Sequence, residues 1–279
     1  MRFAVDVAPL GELADPRAIA RIATAAEAAG WDGLSTWDVL AASMGGGAAD
    51  PFVALAAAAT ATSRIRLIAS VIALPRRRPQ LVAQSAASLD LLSGGRLILG
   101  IGAGGDRADF EAFGEAWDAA TRIATMDDAS GLLDAWLRGR SVHHEGGALV
   151  ARDVTVVPRA VQDPRPLIWL GASGRPGALR RAARWDGWIA VSIEEDGVTL
   201  GLMPDAFGAR VGRLREELAA TGRDPSTFDI AVFGQDGLGG ARATEYADAG
   251  ATWWLESFSP MRARLDEVLR TVANGPPKA

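Results

Sequence analysis

Residues 64–105, RIRLIASVIALPRRRPQLVAQSAASLDLLSGGRLILGIGAGG, decide the fold class of this chain. Two mainly apolar runs, at 65–74 and 97–101, are too short for helices that are buried on every side, and they flank a segment with helical periodicity. A strand, a helix and a second strand in this order form a βαβ unit whose parallel strands are covered on both faces. Ligands of such sheets bind beyond the carboxyl ends of the strands, so the functional site is expected at 70–74 and 102–106.

The same alternation continues from end to end. Strand-like runs lie at 2–7, 33–37, 64–71, 96–101, 167–170, 187–191, 228–233 and 251–255, and a helical pattern follows each of them. Eight such pairs in roughly 270 residues predict a (β/α)8 TIM barrel. A doubly wound sheet is the alternative, but it needs fewer strands or a second domain, and no linker separates one. We therefore predict a single domain over 1–279, with an irregular insertion around 139–166 that contains a valine-rich piece at 154–157 and a hairpin.

Composition excludes several classes of protein. The 279 residues carry a net charge of −5 and no cysteine, which argues against nucleic acid as a partner and rules out disulfides and thiolate chemistry. No apolar segment is long enough to cross a membrane, and the N-terminus lacks the features of a secretory signal. We expect a cytoplasmic protein whose partner is a small molecule.

Several segments together resemble the luciferase-like monooxygenase family. Besides 64–105 they are DPFVALAAAATATSRIRL (50–67), DFEAFG (109–114), PRPLIWLGASG (164–174), RRAARWDGW (180–188) and YADAGATWWLES (246–257). The resemblance covers nearly the whole chain and implies a TIM barrel that binds FMN, or alternatively the deazaflavin coenzyme F-420, at the carboxyl ends of the strands. It also implies an oxidoreductase, a separate flavin reductase as partner, and a homodimer formed through helices near the second and third strands.

The resemblance places the cofactor against residues that close three strands. Relatives carry a non-prolyl cis peptide at the position of Ser70 and Val71, where it supports the isoalloxazine ring; an ordinary trans strand end is the alternative. The cofactor phosphate is expected at Gly171, Ala172, Ser173 and Gly174, where small residues expose backbone N–H groups and Ser173 adds a hydroxyl. The alternative is that this loop is a tight turn with a serine cap and has no role in binding. Arg175 is the expected countercharge.

A second small-residue loop follows the fourth strand. Gly102, Ala103 and Gly104 predict close approach of the backbone to a ligand. The loop does not match the dinucleotide fingerprint, because no glycine follows Asp106 at the required spacing.

The catalytic residue is unknown from the sequence. Asp38 is a weak candidate: relatives have an Asp-His pair there, but Val39 follows it here, which leaves acid–base chemistry at this position in doubt. The loop at 41–49 also has fewer polar groups than in most relatives. Trp37, Asp38, Trp254 and Glu256 are candidate pocket-lining residues because they close strands at the catalytic end.

No metal site is expected. His143 and His144 are adjacent in an extended segment, so they point in opposite directions and lack a third ligand. The arginines at 76–78 either face an anionic group of the ligand or form a solvated turn, and Trp117, Trp136, Trp169 and Trp185 are expected in the core.

These observations favour a flavin-dependent oxidoreductase, and within that class a monooxygenase that uses reduced FMN on a small organic substrate. A hydride-transfer enzyme that uses coenzyme F-420 is the nearest alternative, against which the missing histidine argues. A non-catalytic barrel that binds flavin or another ligand is the second alternative.

Overall fold

Eight parallel strands close into a barrel in the computed structural model, which describes residues 1–40, 47–146, 149–191, 203–235 and 240–277. The strands of the barrel are β1 (Arg2–Val7), β2 (Gly33–Thr36), β3 (Arg66–Ala73), β4 (Leu97–Gly102), β7 (Leu167–Ala172), β8 (Gly187–Ala190), β9 (Asp229–Gly234) and β10 (Trp253–Phe258), and β5 (Val142–Gly146) and β6 (Leu149–Val154) form a separate two-stranded sheet. Neighbouring barrel strands are consecutive along the chain apart from β4 and β7, and β1 closes the ring on β10. The predicted (β/α)8 TIM barrel is confirmed.

Helices connect the barrel strands. They are α1 (Pro16–Ala28), α2 (Pro51–Ala61), α3 (Pro79–Ser93), α4 (Ala108–Glu111), α5 (Ala119–Leu137), α6 (Pro176–Ala182), α7 (Pro204–Ala220), α8 (Ala241–Asp248) and α9 (Leu265–Ala273), with short 3-10 turns at Gly11–Ala14, Leu74–Arg76 and Pro225–Thr227. Three of them begin at aspartate caps that accept hydrogen bonds from the first turn: Asp15, Asp50 and Asp118. The short helix α4, which follows the mouth of β4, has no counterpart in the sequence prediction.

The insertion between α5 and β7 is a hairpin followed by irregular chain, as predicted. β5 pairs antiparallel with β6, and the Trp136 indole of α5 donates to the Val154 carbonyl at 3.0 Å. Of the valine-rich piece at 154–157, only Val154 belongs to the hairpin, because β6 ends there. Asp153, with a φ of 52°, has left-handed backbone just before this end and turns the chain out of the strand.

Alternating side chains of the barrel strands fill two separate layers of core. The layer inside the barrel consists of Ala4, Ile68, Ile98, Trp169, Ile189, Ala231, Trp253 and Leu255. The larger layer lies between the strands and the helices. Trp169 and Trp253 pack edge to face at 5.5 Å between ring centroids, so the lower part of the barrel is solid and a ligand has access only from one end.

Ion pairs tie the amino end of the barrel together. Arg165, whose side chain is 6% exposed, donates to Asp134 and to Asp186, each at 2.5 Å. Arg2 pairs with Asp229 at the start of β9. Glu27, at the end of α1, accepts from the backbone N–H groups of 63–65 at 2.6–3.0 Å.

None of the helices in the described ranges has the length and apolar content that a bilayer crossing demands. Of the loop at 41–49, the first six residues lie outside the described part of the chain.

Candidate active site at the barrel mouth

A cleft of about 520 Å³ opens at the carboxyl end of the barrel. Its apolar lining is provided by Trp37, Val39, Val71, Phe110, Trp117, Val191 and Phe233. Ser70, Asp38 and Arg76 add polar groups, and the loop after β4 forms one rim. The volume lies within the range of small-molecule and cofactor sites, and a largely apolar lining with a few polar groups is typical of them.

Val71 lies on the floor of this cleft. The Ser70–Val71 peptide bond is cis, which is the isomer that the resemblance implied and not the trans alternative. The Val71 side chain packs against the backbone of two glycines. A Cβ atom at Gly102 would lie 2.7 Å from Val71, and one at Gly171 would lie 2.6 Å from it. The glycines at the ends of β4 and β7 therefore make room for Val71, and Val71 in turn presents its apolar surface to the cleft.

Gly104 makes room for another side chain of the protein. Its φ is +81°, and a Cβ atom there would lie 2.6 Å from the Phe110 ring. The guanidinium of Arg122 fixes the loop from outside, since it donates to the carbonyls of Ala103 and Gly104 at 3.0 and 2.8 Å. Gly102 and Gly104 were expected to let the backbone approach a ligand. The structure shows a different reason for the two glycines, which is the packing of Val71 against Gly102 and of Phe110 against Gly104. Gly104 nevertheless borders the cleft.

Asp6 lies beneath the cleft and was missed by the sequence analysis. Its carboxyl is fully buried and accepts from the Trp37 indole at 2.8 Å, from the Ser257 hydroxyl at 2.9 Å and from the Ser70 hydroxyl at 3.3 Å. Burial raises the pKa of Asp6 to about 6 against the opposing effect of these hydrogen bonds. The sequence does contain a clue to this position. Asp6 is a charged residue near the carboxyl end of the first strand, and it lies two residues after Ala4, so both side chains face the interior of the barrel.

Asp38 is a structural anchor on the wall of the cleft. Its carboxylate accepts from the Ala73 backbone N–H at 3.0 Å and from Arg77 at 2.7 and 2.9 Å, and Arg76 lies 3.4 Å away. Both oxygens are engaged by these partners, which join the end of β2 to the end of β3. The weak catalytic expectation for Asp38 is therefore replaced by a role in shaping the wall.

Two of the three consecutive arginines belong to this anchor. Arg76 also pairs with Asp109 at 3.3 Å, and Arg77 pairs with Asp50 at 3.0 Å. Only Arg78 is exposed. Neither alternative from the sequence, an anion site or a solvated turn, describes these internal ion pairs. The Nε atom of Arg76 is buried without a hydrogen-bond partner among the described residues.

Comparison with known proteins decides the family. The family model described as luciferase-like monooxygenase matches residues 2–268. This chain belongs to that family. It is 32% identical over 209 residues to an uncharacterized protein of Mycobacterium tuberculosis, a match that covers 75% of this chain and 67% of the relative.

Solved structures share the fold of this luciferase-like protein at low sequence identity. The coenzyme F420 dependent tetrahydromethanopterin reductase from Methanopyrus kandleri superimposes with a TM-score of 0.79 and 18% identity over 99% of this chain and 98% of that one. The oxygenating constituent of 3,6-diketocamphane monooxygenase from Pseudomonas putida, in complex with FMN, gives 0.66 and 18% over 84% and 67%. These two neighbours show the shared fold; one is described as F420 dependent and the other is in complex with FMN.

In this luciferase-like barrel, Trp254 and Glu256 point away from the interior. Trp253 and Leu255 of β10 face inward, so the alternation of the strand turns the intervening residues toward the helices. The Trp254 indole donates to Glu256 at 2.7 Å and borders a small cavity of about 50 Å³ beside Tyr246, separate from the large cleft. The expectation that they line the pocket is corrected to this extent, whereas Trp37 and Asp38 do line the cleft.

Trp117 was expected in the core but borders the cleft instead. The Arg122 guanidinium stacks on its ring, 3.6 Å from the centroid, and Phe110 lies 5.4 Å from it between centroids. This aromatic wall follows from α4 and from the loop after it, which the sequence pattern did not resolve.

The loop at 171–174 begins at Gly171 behind the Val71 side chain and lies outside the residues that line the cleft. Ser173 is exposed, as is Arg175, while Gly174 is buried beneath the side chain of Arg210 from α7. A Cβ atom at Gly174 would lie 1.8 Å from Arg210 Cδ. Within the described ranges, no hydrogen bond or ion pair involves the Arg210 guanidinium. This cation beside the loop was not found from the sequence, because it lies on a helix far along the chain.

The two histidines are separated, as the extended segment predicts. His143 lies 3.3 Å from Asp153, and His144 lies 2.9 Å from Asp128 of α5. Among the described residues, no group of three or more potential ligands is arranged to hold a metal ion.

Proposed function

We propose that this protein is a flavin-dependent monooxygenase that uses reduced FMN on a small organic substrate. The observation that carries the proposal is the apolar cleft over Val71 at the carboxyl end of a luciferase-like barrel. Its volume of about 520 Å³ and its wall of aromatic and branched side chains fit a flat ring system with a substrate beside it.

The residues of the cleft suit the ring part of a flavin. Val71 offers an apolar support from below, and Trp37 and Phe233 supply flat or apolar walls. When bound, the flavin carries the redox chemistry, and the protein contributes binding, orientation and exclusion of water. The Asp38 carboxylate is paired with Arg77, so its role is to shape the wall that positions the reactants. The acid–base group nearest the floor is the buried carboxyl of Asp6.

The phosphate end of the cofactor would lie at the 171–174 loop. A Cβ atom at Gly171 would lie 2.6 Å from Val71, so this loop starts behind the floor of the cleft, and the cofactor chain would pass from there to Ser173. Ser173 offers an exposed hydroxyl, and Arg210 offers a cation that no carboxylate of the described residues neutralises. A phosphate bound by an arginine and a hydroxyl is recognised by charge-assisted hydrogen bonds. Arg210 thus joins Arg175 as a countercharge.

Two helices leave apolar side chains exposed on the outside of the barrel. Val53 of α2 is 56% exposed, and Leu81 of α3 is 58% exposed. A homodimer formed through this α2–α3 surface buries both and agrees with the family resemblance. A separate reductase supplies the reduced flavin in this proposal. Sedimentation of the purified protein tests the dimer, and Leu81→Glu is expected to shift it to the monomer.

A cofactor titration tests the proposal. The protein is titrated with oxidised FMN, reduced FMN and coenzyme F-420, and binding is followed by tryptophan quenching and cofactor absorbance. We expect FMN to bind best. Preference for F-420 would favour a hydride-transfer oxidoreductase, and no binding of any of the three would contradict a flavin-type site.

Riboflavin isolates the contribution of the phosphate, because it lacks that group. Arg210→Ala is expected to weaken FMN binding roughly tenfold, as loss of one charge-assisted hydrogen bond does, and to leave riboflavin binding unchanged. Arg213→Ala, which removes an exposed arginine from the same helix, is the matched control and should change neither. Equal losses for FMN and riboflavin would show that Arg210 does not contact the phosphate.

A further inference from the structure

Three strands and one loop each place a neutral hydrogen-bond donor against the buried carboxyl of Asp6. The donors are the hydroxyls of Ser35, Ser70 and Ser257 and the indole of Trp37. Asp6 itself has no exposed surface, and no cation pairs with it in the described part of the chain. An ionised carboxyl without a cation is costly in such a place, so its proton is held more tightly than usual.

The other charged groups on the neighbouring strands point elsewhere. Glu256 of β10 is in register with Val5 and lies on the helix side of the sheet, bonded by Trp254. β2 carries no charged residue, and Arg66 of β3 lies at the opposite, amino end of its strand. At the cleft wall, Asp38 is paired with Arg77. Asp6 is therefore the titratable group that faces the floor of the cleft from beneath.

Ser70 connects this carboxyl with the cleft. The residue borders the cleft, and its hydroxyl contacts the Ser35 hydroxyl, the Asp6 carboxyl at 3.3 Å and the Thr36 carbonyl at 3.3 Å. A serine hydroxyl has one hydrogen to donate and two lone pairs. An ionised Asp6 can only accept, so it draws the serine hydrogens inward. A protonated Asp6 donates a hydrogen to a neighbouring hydroxyl and thereby displaces the hydrogen that pointed toward it.

We infer that Asp6 sets the direction of the Ser70 hydroxyl hydrogen. Ser70 donates into the cleft when Asp6 is protonated and offers only lone pairs to it when Asp6 is ionised. Asp6 is thus a positioning residue that acts through Ser70. The inference rests on the proposed function, because the ligand that senses this change is one with acceptor atoms above the floor, such as the carbonyl and ring nitrogens of a flavin.

Two internal contacts compete with donation into the cleft. The Thr36 carbonyl accepts from Ser70 at the same 3.3 Å as Asp6, and the Ser35 hydroxyl is closer than either. Hydrogen bonds at 3.3 Å are long, so a ligand acceptor at ordinary distance competes well with both. Because burial raises the pKa of Asp6 to about 6, both protonation states are populated near neutral pH.

Riboflavin binding between pH 5 and pH 8 tests the inference. Riboflavin is preferred to FMN because the second ionisation of a phosphate monoester also falls near pH 6. For the unchanged protein we expect riboflavin affinity to fall roughly three- to tenfold over this range, the effect of one hydrogen bond. Asp6→Asn and Ser70→Ala should each make the affinity independent of pH. Ser257→Ala is the matched control: it removes a partner of Asp6 that does not line the cleft, so the pH dependence should persist with a higher midpoint.

An infrared difference spectrum of the ligand-free protein between pH 5 and pH 8 adds a readout that needs no flavin. The carbonyl stretch of a buried protonated carboxyl should disappear as the pH rises, be absent in Asp6→Asn and persist in Ser70→Ala. If riboflavin binds and Asp6→Asn retains the pH dependence of the unchanged protein, the inference is overturned while the flavin site stands. No flavin binding at any pH would overturn both.

Discussion

The two ends of this barrel differ in how their buried charged groups are paired. At the amino end, Arg165 lies between two carboxylates and Glu27 accepts from three backbone N–H groups. At the carboxyl end, Asp6 is surrounded by neutral donors, and Arg76 keeps a buried Nε atom without a partner among the described residues. The ion pairs of the amino end therefore stabilise the fold, whereas the mouth combines the Asp38–Arg77 pair with a carboxyl, Asp6, whose neutral donors can turn to a ligand.

Removal of Arg165 should have the largest effect on stability. Arg165→Ala leaves Asp134 and Asp186 without their shared partner, and breaking such a buried pair costs about 3–5 kcal/mol. Urea unfolding measures the free energy of unfolding. Arg152→Ala, which removes an exposed partner of Glu145, should cost less than about 1 kcal/mol. Flavin affinity of folded Arg165→Ala should be unchanged, and a loss of affinity without a loss of stability would break the contrast between the ends.

Asp6→Asn should change how stability depends on pH. The folded protein holds the Asp6 proton up to a pKa of about 6 against an ordinary 3.8, so protonation favours folding. This contribution is complete below pH 3.8 and is lost as the pH rises through 6, an amount of about 3 kcal/mol. Between pH 4 and pH 7 the free energy of unfolding of the unchanged protein should therefore fall relative to that of Asp6→Asn, because the variant has no such contribution to lose. The exposed Asp205→Asn should follow the unchanged protein, and parallel curves for Asp6→Asn would show that Asp6 is not held protonated.

Because Val71 packs against Gly171, substitutions at these two positions should have non-additive effects on stability. Gly171→Ala places a methyl group against the Val71 side chain and should cost about 1–3 kcal/mol, as overpacking does. Val71→Ala removes the obstructing methyl groups, so the double variant should be more stable than the sum of the two single changes predicts, by roughly 1 kcal/mol. If the changes in the free energy of unfolding are additive in urea unfolding, Gly171 is not needed to make room for Val71.

The sequence predicted the fold well and the candidate site only in part. The strand-helix alternation predicted the barrel, and the candidate residues at 70–71 and 37–38 do border the cleft. Alternation within β10 was not resolved, so Trp254 and Glu256 were placed on the wrong face. Asp6 and Arg210 were missed because their meaning depends on neighbours that are distant in sequence: Ser70 and Ser257 in one case, Gly174 in the other.

Glu27 provides the opposite pH dependence, and its effect should be the smallest because its partly exposed carboxylate is screened by solvent. Although partial burial opposes ionisation, the backbone N–H groups of 63–65 lower the pKa of Glu27 to about 2. Its contribution to stability is therefore present above its ordinary pKa of 4.5 and is lost as the pH falls toward 2. Glu27→Gln should lower the melting temperature slightly at pH 7 and make it less sensitive to acid. A melting temperature that becomes more sensitive to acid would contradict this assignment.

A crystal structure of the protein with FMN would show whether the cleft over Val71 binds the flavin. We expect the flavin ring in the cleft over Val71, within hydrogen-bond reach of Ser70, and the phosphate at Ser173 beside Arg210. Density for the ring outside this cleft, or an empty cleft at saturating FMN, would contradict it.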